Sequence, residues 1–266
     1  MNCAVCIAQV TNPETPAAAF SIDLKARRAI PAKDRPLVIN DYDQVAVEAA
    51  LKIKEAKGGK VTIFSLGPAT VTAAIKHCLA MGADEGIILS DERFQEEDRA
   101  LVAYALAMAI RKAGNVDLIL CGRQEGDWDA GQVGLGIAEI LNIPSVNPVR
   151  KIEVDDGRLV VERIVDDGYE LITLPLPALI GVSNEIGPAR YPTMKGIMTA
   201  ARKSVDVWTA DDIGIAPSRL DPSSAKVNML DLFIPMRERV CEFIEGETPE
   251  EAGANLRLRL RKEKIV

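Results

Sequence analysis

Short apolar runs alternate with longer helical patterns over the first 145 residues. Residues 2–10 (NCAVCIAQV) are nearly all apolar and predict a buried strand, followed over 11–39 by an irregular excursion rich in Pro and Ala. Asn40 and Asp41 then offer caps to a helix in which Ala46, Ala49, Ala50 and Ile53 recur at helical spacing, and Gly58-Gly59 ends it. VTIFSLG (61–67) predicts a second strand, and Pro68 stands at the first helical position of a segment running to about Ala80. EGIILS gives another strand, residues 97–113 a helix closed by Gly114, and VDLILCG (116–122) a further buried strand, with a helix starting near Gly131. Strands of six or seven residues between long helices predict an α/β fold built on a doubly wound, mostly parallel sheet.

The rhythm changes at about residue 148. From there to Val182 apolar and polar positions alternate, and Asp-Asp-Gly occurs twice, a sequence suited to hairpin turns. This predicts an antiparallel ribbon added to the parallel sheet. From Thr199 the periodicity weakens and prolines recur until Thr248-Pro249-Glu250-Glu251, where a cap, a proline and two acids announce a last helix. A long stretch with little core of its own is unusual within a compact domain. The expected organisation is therefore an α/β domain over 1–200 and a C-terminal arm over 201–266 that packs on a partner.

Composition narrows the function classes. Aromatics are only 4% of the 266 residues, so the core must be built from Ala, Val, Ile and Leu. A net charge of −7 argues against nucleic-acid binding. No apolar run reaches ~20 residues and the N-terminus lacks the basic stretch of a signal peptide, so a cytoplasmic protein without membrane insertion is expected. Five scattered cysteines do not form a disulfide framework; Cys3 and Cys6 make a CxxC inside a strand pattern and read as buried thiols rather than a redox or metal pair.

Catalytic constellations are missing. The one histidine, His77, lies in a helical run without a carboxylate or nucleophile placed to work with it, and no metal-ligand spacing, nucleophile elbow or P-loop occurs. What remains are turns after strands, where ligands of open α/β sheets bind. Three stand out: Cys6 to Gln9, Ser65-Leu66-Gly67, and Gly122 leading into GRQEGDWDAGQVG (122–134). Gly126, Gly131 and Gly134 would let backbone amides approach an anion at the following helix N-terminus. On residues alone, a nucleotide-phosphate site and a plain glycine-rich loop both stay open.

LAMGADEGIIL (79–89), GRQEGDWDAGQVG, VDDGYELITLPLPAL (165–179) and RYPTMKGIMTAARK (190–203) occur in the order found in electron-transfer flavoprotein β subunits, and the chain resembles that family over most of its length. IEGETPEEAGANLRLRLR (244–261) is similar to nitrogen-fixation and clostridial members. The resemblance implies an adenine-nucleotide-hydrolase-like fold in a heterodimer with an α subunit that carries the redox-active FAD. The β chain would have no catalytic residues of its own and would hold AMP, or a second FAD in electron-bifurcating relatives. Carried over by position, the nucleotide would touch Cys6, Asn40, Ser65, Leu66 and Gly67, with its phosphates on Asp127, Asp129, Ala130, Gly131, Gln132 and Val133. The segment from Asn184 to Pro192 would dock an acyl-CoA dehydrogenase-type partner through Ile186, Pro188, Arg190 and Tyr191. The chain departs from the family pattern at Ala130, where Thr or Cys is usual, at Trp128, and in the docking sequence EIGPARYP. The alternative reading is a free-standing adenine-nucleotide-binding regulatory protein, against which the ribbon and the arm both count.

Overall fold

The computed structural model describes residues 1–95, 97–155, 157–235 and 241–266. It divides into two compact units, Met1–Leu232 and Phe233–Val266. In chain order the first unit contains β1 (Cys3–Cys6), β2 (Gln9–Val10), β3 (Ser21–Asp23), β4 (Arg28–Ile30), β5 (Val38–Ile39), α1 (Asp41–Lys57), β6 (Val61–Leu66), α2 (Thr72–Met81), β7 (Glu85–Leu89), α3 (Arg99–Ala113), β8 (Leu118–Gly122) and α4 (Val133–Leu141). It continues with β9 (Ser145–Asp155), β10 (Arg158–Val165), β11 (Gly168–Pro175), β12 (Ala178–Val182), α5 (Met194–Arg202), β13 (Asp206–Trp208) and α6 (Pro217–Leu220).

Nine strands form one sheet in the order β11-β10-β9-β12-β8-β1-β6-β7-β13. All neighbours from β9 to β13 in this order pair parallel, while β10 pairs antiparallel with β9 and β11 antiparallel with β10. The expected doubly wound sheet and added ribbon are both present. Side chains of the central strands alternate between two apolar layers. Cys3 and Val5 face the layer containing α1 and α2, whereas Ala4 and Cys6 face the layer containing α3 and α4. Cys3 and Cys6 therefore lie on opposite faces, and both are buried.

Chain direction places the switch point of the sheet. From β1 the chain winds through β6 to β7 towards one edge, then returns through α3 to set β8 on the other side of β1. The winding reverses between β1 and β8, and the carboxyl ends of those strands diverge into loops on either side.

Several elements depart from the periodicity. Residues 2–10 break into two short strands, and the 11–39 excursion contains the β3–β4 hairpin and β5, which pairs with β2. Pro68 is extended rather than helical, and a 3-10 turn over Ala69–Val71 leads into α2. The largest departure follows α5. Three residues, Asp206–Trp208, add β13 to the sheet edge, and Ala210, Ile213, Ile215 and Leu220 are buried behind it. These four buried side chains fasten the stretch after α5 to the first compact unit, which runs to Leu232. Asp156, in the first Asp-Asp-Gly turn, and arm residues 236–240 lie outside the described residues.

The second unit carries α7 (Pro249–Lys262), capped as its sequence predicts by the Thr248 side chain accepting from the Glu251 N–H. None of its described residues is buried, and Phe233, Phe243 and Leu258 are largely exposed. Among the described residues, no helix is long and apolar enough to cross a membrane.

Candidate functional site

The first turn of α1 ties the strand exits together. Asp43 accepts the Ala8 N–H through Oδ2 and the Gly122 N–H through Oδ1, both at 2.8 Å, so one carboxyl bridges the ends of β1 and β8. Gly122 permits that approach: a Cβ there would stand 2.6 Å from Asp43 Oδ1 and from Tyr42 Cβ. One helical turn earlier, Asn40 donates to the Gln124 carbonyl at 2.9 Å and accepts from the Gly126 N–H at 3.1 Å. It holds the start of the 122–134 loop at both edges. From the other side Asn147 donates to the Arg123 carbonyl at 3.1 Å. The Ser65 hydroxyl donates to the Ile7 carbonyl at 2.7 Å, fixing the end of β6 to that of β1.

The loop itself is built around acceptors. Gln124 donates to Asp129 Oδ1 at 2.7 Å, and Asp129, with φ 51°, donates its own N–H to the Glu125 carbonyl at 2.9 Å. Gly131, with φ 60°, turns its N–H onto Glu125 Oε2 at 3.0 Å. An amide that a carboxylate already occupies is one suited to an anion, which is the chemistry a nucleotide phosphate requires. Arg99, at the start of α3, lies 3.6 Å from Glu125 and over the Trp128 ring.

Burial governs the titrating groups. It pushes the Asp43 carboxyl up to about 7, against the two backbone donors that pull it down. The hydrogen bond with Cys6, followed by burial, holds the Cys121 thiol well above its ordinary value, and burial pushes Cys3 up to about 12. Partial desolvation raises Asp127, and burial lowers His77, a half-buried helix residue. Among the described residues no group of three or more potential ligands could hold a metal.

Of the expected nucleotide residues, Cys6, Asn40 and Ser65 are buried. Leu66 is half-buried and Gly67 donates to the Leu89 carbonyl. Ala130, Gly131 and Val133 are half-buried in the loop, with Asp127, Asp129 and Gln132 exposed. Hydrogen bonds join Asn40 directly to the loop, and the register of β1 on β8 sets Cys6 beside Cys121. Asp43, Glu125 and Arg99 escaped the sequence reading. Asp43 stands in the polar first turn Asp41-Tyr42-Asp43-Gln44, where no local pattern marks it out from Asp41.

In the expected docking segment, Ile186 closes a 3-10 turn over Asn184–Ile186, its N–H donating to the Ser183 carbonyl, and packs half-buried against the main core. Ile186→Ala is therefore expected to cost about 1–3 kcal/mol of stability by leaving a partial cavity. Chemical denaturation checks this, and an unchanged midpoint would return Ile186 to the surface. Arg190 is likewise engaged within the chain, with Glu48 and Glu55. Pro188 is exposed, and Tyr191 is 89% exposed. The apolar surface lies just beyond, on Met194, Ile197 and Met198 of α5, all exposed.

Comparison with known proteins agrees with this architecture. Residues 30–213 match the electron transfer flavoprotein domain. The chain is 40% identical over 232 residues to the electron transfer flavoprotein subunit beta of Thermoanaerobacterium thermosaccharolyticum, covering 87% of this chain and 88% of that protein. It is 36% identical, with the same coverage, to the caffeyl-CoA reductase-Etf complex subunit CarD of Acetobacterium woodii. To the electron transfer flavoprotein subunit beta of Clostridium acetobutylicum it is 37% identical, over 85% of this chain and 88% of the relative. With the domain and most of the length matched, the chain belongs to the electron transfer flavoprotein family as a relative of its β subunits.

Proposed function

We propose that the chain is the nucleotide-holding subunit of a heterodimeric electron-transfer flavoprotein, binding AMP or a second FAD in the crevice between β1 and β8. The observation that carries this reading is the Gly131 amide, presented at the switch point and already engaged by a carboxylate. Backbone donors would take the phosphates, Asn40 would fix the loop that supplies them, and Cys6, Ser65, Leu66 and Gly67 would line the adjoining strand ends. A bound flavin would supply the electron carrier. This chain's residues orient it and set the charge around it. The α subunit is the partner we assign, with the exposed side chains of Phe233–Val266 as the arm that contacts it. An acyl-CoA dehydrogenase-type protein is the redox partner, with Tyr191 and the apolar face of α5 as the contact surface we assign to it. The A. woodii relative is named for a caffeyl-CoA reductase complex, which supports an acyl-CoA-handling partner. We place the assembly in the cytoplasm.

Gly131→Val tests the site. A β-branched residue is strained at φ 60°, and its Cβ would meet the Arg123 carbonyl oxygen at 3.1 Å. The variant complex is expected to lose most of its bound nucleotide on extended dialysis while its circular dichroism stays that of the wild type. Full retention would count against the 122–134 loop as the phosphate site.

A further inference from the structure

We infer that Glu125 is a built-in competitor for the phosphate: its carboxylate occupies the Gly131 amide and Arg99 and must yield both when a nucleotide binds. The inference rests on the nucleotide reading above and adds to it the residue that sets affinity for charge.

The geometry is specific. Glu125 Oε2 accepts from the Gly131 N–H at 3.0 Å, and Oε1 lies 3.6 Å from Arg99 Nε. Both side chains are mostly covered, at 14% and 19% exposure, so the contact is sheltered from solvent screening. A backbone amide at a helix entry plus a guanidinium is the donor pair that recognises a phosphate oxygen. Here a carboxylate from the same loop, six residues upstream, fills it. Asp127 and Asp129 flank the same turn, so the loop holds its own negative charge before any ligand arrives. A phosphate approaching Gly131 meets Glu125 at short range and in low dielectric, where like charges repel most strongly. Binding then requires Glu125 to swing away from the Gly131 amide and from Arg99, whose guanidinium lies over the Trp128 ring and faces the incoming phosphate.

Two consequences follow from charge alone. Removing the carboxylate strengthens binding of a phosphorylated ligand, and it leaves a neutral ligand with the same adenine and ribose unaffected. Glu125→Gln keeps the shape and an acceptor for Gly131 and removes only the charge; Glu125→Ala frees the amide outright.

The experiment uses the full chain in its complex, stripped of bound nucleotide, with AMP and adenosine titrated by calorimetry. The expected result is an AMP affinity at least about tenfold higher in Glu125→Gln than in wild type, with adenosine affinity unchanged. Adding Arg99→Ala to Glu125→Gln should remove most of the gain. Equal changes for AMP and adenosine, or an AMP affinity that is unchanged or weaker, would overturn the inference and leave the nucleotide site standing. If neither ligand binds wild type or variant, the nucleotide reading fails and this inference with it.

Discussion

Replacing Asp43 with asparagine should remove a pH dependence of several kcal/mol from the stability of this protein. The carboxyl is wholly buried between the ends of β1 and β8, and its value in the fold is about 7 against an ordinary 3.8. Because the folded value is the higher one, the fold keeps a proton that the unfolded chain has released. That contribution is fully present below about pH 4 and is lost as pH rises through 7. A difference of about three units corresponds to about 4 kcal/mol at ~1.4 kcal/mol per unit. Asparagine does not titrate, so the stability of wild type minus that of Asp43→Asn should fall by roughly this amount between pH 4 and pH 7 and level off above. Urea denaturation of both proteins at half-unit intervals measures it. A flat difference would mean that the backbone donors of Ala8 and Gly122 hold Asp43 ionised throughout.

The second large effect is expected at Arg190, which the family pattern had suggested for partner contact. Its Nε lies 2.7 Å from Glu48, its Nη2 3.1 Å from the same carboxylate, and its backbone N–H donates there at 3.2 Å. Glu48 is only 6% exposed; Lys52, at 3.9 Å and itself largely exposed, is a poor substitute. Arg190→Ala would strand a buried carboxylate on α1 and release the segment leading to α5. Breaking a buried pair from one side costs about 3–5 kcal/mol; with Arg190 one-third exposed, about 2–4 kcal/mol is expected. For a unit of this size that lowers Tm by roughly 5–15 °C. Adding Glu48→Gln should recover part of the loss, since no buried charge is then left unpaired and Glu55, the other partner, is exposed. A Tm within one degree of wild type would show that the pair is dispensable.

These two residues mark the boundary of what the chain made legible. The strands VTIFSL and LILCG, the helix after Asn40 and the helix capped by Thr248 follow from apolar period and capping chemistry, which are local; the Asn40 side chain, expected as a cap, holds the 122–134 loop instead. The ribbon followed from alternation and its Asp-Asp-Gly turns. Asp43 and Glu125 carry no local signature. Their roles depend on the crossover that brings β8 back beside β1, so that a side chain on α1 reaches an amide 79 residues away. β13 was missed for a related reason: three residues of edge strand have too short a period to detect, and their pairing with β7 is long-range. The turn that the glycine and proline after Ile186 announce does form, closed by the Ser183 carbonyl, while the packing of Ile186 against the core depends on residues distant in the chain.

The claim on which the rest depends is that the crevice between β1 and β8 holds an adenine nucleotide. The most direct measurement is to precipitate the protein from its purified complex and identify and count the released ligands by mass and absorbance. The account predicts about one adenine nucleotide per copy of this chain, AMP or FAD, in addition to the flavin of the partner subunit. Release of the partner's flavin alone, with no further adenine nucleotide from wild-type complex, would contradict it.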